Sequence, residues 1–85
     1  MNLDAFQGKK HIVEAAIEIG SEVCEKKVSD IAWPGKCLII SIHRGNAEII
    51  PKGDTVLFTG DTLMALINDE DAPYVQHAVE KLCTR

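Results

Sequence analysis

The stretch Ile39–Asn68, IISIHRGNAEIIPKGDTVLFTGDTLMALIN, sets the strongest limit on what this chain can become. Short apolar runs alternate there with RGNA, PKGD and TGD, each rich in turn-forming residues. Runs this brief, stopped this abruptly, read as strands joined by hairpins, and hairpins make mainly antiparallel sheet. Within KCLIISIHR, Leu38, Ile40 and Ile42 alternate onto one face, and Arg44 ends the strand on that side. Cys37, Ile39, Ser41 and His43 form the other face, which is also fairly apolar, so both sides of this strand call for cover. Gly45-Asn46 signals a hairpin and AEII returns as the next strand. Pro51 ends it, because proline has no N–H to give to a ladder. TVLF predicts a further short strand, and TLMALIN a last one with apolar residues on both faces.

The flanks complete the pattern. In HIVEAAIEIG, Val13, Ala15, Ile17 and Ile19 fall on one face and Glu14 and Glu18 on the other, which predicts a half-buried strand closed by Gly20. In SEVCEKKVSDIAWPG, Ser21 is a candidate cap and Cys24, Val28 and Ile31 recur at helical spacing. A short helix centred on Lys26–Ile31 is expected, stopped by Pro34-Gly35. Asp69, Asp71 and Pro73 open a C-terminal helix, since acidic groups suit the positive end of the helix dipole and proline suits the first turn. Val75, Ala78, Val79 and Leu82 make its buried stripe, with Gln76, Glu80 and Lys81 facing water. The expected fold is α+β, a small, mostly antiparallel sheet with the short helix and the C-terminal helix packed on one face. Residues 1–10 are expected to be a tail or linker and residues 11–84 a single domain.

A chain of 85 residues suffices for one small domain. Domains of this size bury only about 60–65% of their unfolded surface, so a lone copy is marginal. Two strands apolar on both faces exceed what helices on one side can cover. A second copy would cover the rest, which argues for a homodimer. The net charge of −4 argues against nucleic acid and against anionic membrane surfaces, both of which select basic faces. Cys24, Cys37 and Cys83 are odd in number and contain no CxxC, so they read as small hydrophobes in a reducing compartment. His11, His43 and His77 lack the spacing of a helical metal pair. No Ser-His-Asp set, nucleophile elbow, Walker loop or GxGxxG occurs, so neither catalysis nor a cofactor is expected.

Taken together, GSEVCEKKVSDIAWPGKCLIISIHRGNAEIIPKGDTVLFTGDTLMALI closely resembles the TrkA-C domain, also called the RCK C-terminal domain. The elements that carry the likeness are Gly20-Ser21, Lys27, the strand Leu38–Arg44 with Gly45, Pro51 and Gly60-Asp61, in that order and spacing. The resemblance implies an α+β, typically dimeric regulatory module on the cytoplasmic side of a prokaryotic potassium, cation or ClC-type chloride transporter or channel. It also implies a small ligand at the dimer interface, cyclic di-AMP in the best-known members. By the same resemblance Arg44 matches the ligand-contacting arginine, Leu38 and Ile39 the apolar floor, and Ile50 and Pro51 the pair beside the adenine. Ile49 departs from a position that is often polar, with His43 as a substitute hydrogen-bonding group. Two alternatives accompany this: a dimerisation module without a ligand, and an Arg44 that merely pairs with an acid such as Glu48 across the hairpin.

Overall fold

The computed structural model describes residues 8–85, so residues 1–7 of the expected tail lie outside the described residues. Strand β1 (Lys10–Ala16) starts at the last residue of that expected tail. Strands β2 (Cys37–Arg44), β3 (Ala47–Ile49) and β4 (Thr62–Asn68) follow, then helix α1 (Ala72–Cys83). They form one antiparallel sheet in the order β1-β4-β2-β3. The last strand therefore sits between the first and the second, which ties the two ends of the chain together.

Val13 and Ala15 from β1 and Leu63, Ala65 and Ile67 from β4 are buried on the same side, as period-two alternation requires. Val75, Val79 and Cys83 of α1 close over them, with Ala78 and Leu82 half-buried beside the stripe. Gln76, Glu80 and Lys81 are exposed. Ile17 and Leu57 complete this core from the loops, whereas Ile19, expected on the same face, lies beyond the strand and is 72% exposed. Each fully buried Leu, Ile or Val here contributes roughly 1.5–3 kcal/mol.

Three sequence expectations are corrected. The helix expected around Lys26–Ile31 is a single 3-10 turn, Val28–Asp30. The strand expected at TVLF is only an isolated bridge between Lys27 and Val56. One cause explains both. Glu25 N–H bonds Leu57 O at 2.7 Å, Leu57 N–H bonds Lys26 O at 2.9 Å, and Val28 N–H bonds Thr55 O at 2.9 Å. The two segments spend their backbone groups on each other, so neither helix nor ladder can form. Glu25 also has φ +64°, a left-handed conformation that interrupts any right-handed turn.

The third correction concerns β2. Its pairing with β4 shifts between Ile39 and Ser41, leaving Ile40 as the extra residue of a β-bulge. Directly opposed residues share a face. Cys37 and Ile39 therefore join Ile42 on the helix side, opposite Ile67, Ala65 and Leu63. Leu38 and Ser41 lie on the open side, opposite Leu66 and Met64. Simple alternation would have grouped Leu38 with Ile42, and the bulge separates them.

Candidate functional site

The sequence singled out Arg44, Leu38, Ile39, Ile50, Pro51 and His43 as ligand contacts, and the structure divides them among different surroundings. Arg44 belongs to a tight internal network. Its Nε donates to Asp61 Oδ1 at 2.9 Å and its Nη2 to Asp61 Oδ2 at 2.8 Å. The same Nη2 donates to Val56 O at 2.9 Å, and the guanidinium carbon lies 5.0 Å from the centre of the Phe58 ring. Such a fork-to-carboxylate pair is among the stronger polar contacts available to a side chain. Asp61 is buried, and its Oδ2 also accepts the Phe58 N–H at 2.9 Å.

The β2–β3 hairpin and the Phe58–Asp61 turn build this network. Arg44 pairs with Ala47 across the tight Gly45-Asn46 turn, which fixes the root of the arginine side chain. Gly45 at φ +62° supplies the conformation that turn needs. Burial pushes the Asp61 pKa up, but the Arg44 hydrogen bonds, the Phe58 N–H and the attraction of the guanidinium outweigh it, so the net shift is downward. The Asp61 hydrogen bond in turn holds the Arg44 pKa above its ordinary value. The acid that pairs with Arg44 is thus Asp61 and not Glu48. Glu48 lies instead 3.6 Å from His43 Nε2, on the face opposite Arg44.

Leu38, Ile39 and Pro51 do converge. They line one open pocket of about 360 Å³ with Val28, Ile31, Trp33, Cys37 and Lys52. The Trp33 indole is fixed there by its Nε1–H bond to Val28 O at 3.0 Å. Burial raises the Cys37 thiol to about 11, so it is a neutral, apolar wall at physiological pH. Arg44, His43 and Ile50 do not line this pocket, and Ile50 is 71% exposed beside it. A larger groove of about 740 Å³ lies at the C-terminal end of α1, between Gly20, Pro34, Ala78 and Lys81, and includes none of the six residues. Trp33 and Lys52 were not among the residues expected at a site, and Asp61 was noted only as part of the Gly60-Asp61 turn, not as the partner of Arg44. Asp61 carried a signal, as the acid that follows Gly60 in the turn before the last strand; Trp33 and Lys52 reach the pocket through loops with no periodicity to read.

Among the described residues no group of three or more His, Cys, Asp or Glu side chains is placed to hold a metal. Among the described residues no helix is long and apolar enough to cross a membrane.

A small antiparallel sheet with one C-terminal helix on one face and a strand-end arginine locked to a turn aspartate defines the class, and comparison with known proteins gives the family. The pattern of the TrkA-C domain matches residues 12–79, so this chain belongs to the TrkA-C domain family. It is 36% identical over 64 residues to a Trk system potassium uptake protein TrkA homolog from Archaeoglobus fulgidus, a match covering 75% of this chain and 15% of that protein. This chain thus corresponds to a small part of that relative. A solved structure described as an RCK domain with cda superposes with a TM-score of 0.63 at 24% identity, covering 88% of this chain and 99% of that one, which supports the fold.

Proposed function

We propose that this domain is a cytoplasmic regulatory module of a prokaryotic potassium, other cation or ClC-type chloride transport protein, acting as a homodimer that senses a small ligand such as cyclic di-AMP. One observation carries the reading: the sheet face opposite α1 carries an apolar row that is only partly covered, with Glu14 opposite Met64 and the buried Ser41 on the same face, and it adjoins the Leu38–Ile39–Pro51 pocket. On that face Ile12, Leu66 and Leu38 form a continuous row across three strands, with Met64 in the next row and Ile40 at the bulge. Ile12 is 52% exposed, and the other four are only half-buried. A continuous apolar row of this kind marks an interaction surface. Self-association along it supplies the cover that a marginal 85-residue core lacks.

A regulator needs a ligand that favours one arrangement over another, and a pocket bordering a subunit contact provides that difference in affinity. The potassium-uptake relative and the RCK domain with cda support the host class and the ligand class. The Arg44–Asp61 pair favours a second reading, a dimerisation module without a ligand, because it withdraws the arginine that such a ligand would engage.

Two measurements test this. Sedimentation of the purified chain should show dimers that dissociate in Leu66→Lys; monomers at high micromolar concentration would remove the dimer. Melting in cyclic di-AMP should rise by several degrees, since ligand at about 100 times its Kd stabilises by roughly 2.7 kcal/mol. Dimers without any such shift would leave the ligand-free module.

A further inference from the structure

We infer that Lys52 and Trp33, and not Arg44, read the ligand in this chain: Lys52 takes an anionic group and Trp33 stacks on a planar ring. This rests on the ligand-sensing reading above and names the residues that set its specificity.

Arg44 has little left to give a ligand. Its Nε and Nη2 are both bound to Asp61, and Nη2 also bonds Val56 O, which leaves only Nη1 without a partner among the described residues. Phe58 lies against the guanidinium. Asp61 is buried and neutralises the arginine charge at 2.8 Å, so an incoming anion would meet a pair with little net charge. Releasing Arg44 to a ligand would leave the Asp61 carboxylate buried without its counter-charge, which is strongly unfavourable.

The pocket supplies a different set. In a chain of net charge −4, Lys52 is the one charged residue among the described residues that line it. The lysine ammonium is a mobile point charge on a long stem, suited to a phosphate or carboxylate at the mouth of a pocket. Trp33 is already held by its bond to Val28 O and needs no ordering when a ring packs on it. Leu38, Ile39 and Pro51 make the remaining floor, and the volume of about 360 Å³ suits a ligand of nucleotide size. The chemistry that fits is an aromatic heterocycle carrying an acidic group.

Trp33 is the chain's sole tryptophan, so its fluorescence reports on this pocket alone. The test titrates the purified chain with cyclic di-AMP, AMP and inorganic phosphate, reading calorimetry and fluorescence in parallel. The expected result is binding of a nucleotide with a change in Trp33 emission, weakened about tenfold or more in Lys52→Met and largely restored in Lys52→Arg. The paired variant Arg44→Gln with Asp61→Asn, whose fold is checked by melting, should keep affinity within about threefold. Nucleotide binding that survives Lys52→Met, or that leaves Trp33 emission unchanged, overturns this inference and leaves the sensing reading standing. Phosphate binding as tightly as AMP overturns the role of the ring. No heat and no emission change with any probe overturns the sensing reading itself, and this inference with it.

Discussion

Replacing Arg44 by alanine removes three hydrogen bonds and the contact with Phe58, and it leaves a buried carboxylate with one remaining donor, the Phe58 N–H. Breaking a fully buried ion pair from one side costs about 3–5 kcal/mol. The Arg44 side chain is 39% exposed, so water can enter the space it vacates and solvate part of Asp61. That discount brings the expected loss to roughly 2–3 kcal/mol. For a domain of this size the melting temperature should fall by roughly 10–20 °C. Arg44→Lys keeps the charge and loses the fork, so it should fall between the two.

The effect should depend on pH with a definite sign. The folded-state pKa of Asp61 lies below its ordinary value, so its stabilisation is fully present above the unfolded pKa of about 3.9 and fades as pH drops through the lower folded value. Asp61→Asn should therefore be destabilised most at neutral pH and converge on the wild type in acid. Urea denaturation of wild type, Arg44→Ala, Asp61→Asn and the double variant at several pH values gives the coupling directly. A coupling below about 0.5 kcal/mol at neutral pH, or one unchanged in acid, would refute the reasoning.

Other outcomes follow from single features. Glu25 sits at φ +64° without the freedom of glycine, so Glu25→Gly should stabilise the domain by roughly 0.5–1 kcal/mol; a loss of stability in thermal melts would contradict the strain argument. Burial lifts the Cys37 and Cys83 thiols to about 11, so in the native protein both should alkylate slowly at pH 8 and react freely in denaturant, as mass spectrometry can follow. Leu63→Ala, which empties a fully buried position in the central strand, should cost about 2–5 kcal/mol in urea.

Much of this architecture was legible in the residues because local chemistry decided it. Alternation fixed the buried face of β1, the Gly45-Asn46 dipeptide fixed the β2–β3 hairpin, and β4 falls on Thr62–Asn68, the TLMALIN run. Asp69, Asp71 and Pro73 marked the start of α1, and of its expected stripe Val75 and Val79 are buried while Ala78 and Leu82 are half-buried. The family could likewise be recognised from the order of these elements. Of the six residues expected at a ligand, Leu38, Ile39 and Pro51 meet in one pocket, while Arg44, His43 and Ile50 lie outside it, because the bulge and the Arg44–Asp61 pair depend on contacts far along the chain.

What the tertiary structure alone decided has a common physical root: competition between partners far apart in sequence. A helix at Lys26–Ile31 was compatible with local spacing, but the backbone groups there found better-placed partners at Thr55 and Leu57. The bulge at Ile40 depends on register with β4, which no single strand encodes, and it alone determines which side chains of β2 face α1. Arg44 could have bonded Glu48, four residues away; it binds Asp61, seventeen residues on, because the sheet brings a buried carboxylate to the end of β2. Side-chain type and spacing set the elements, whereas the pairing of charges and the facing of residues were settled only when the elements met.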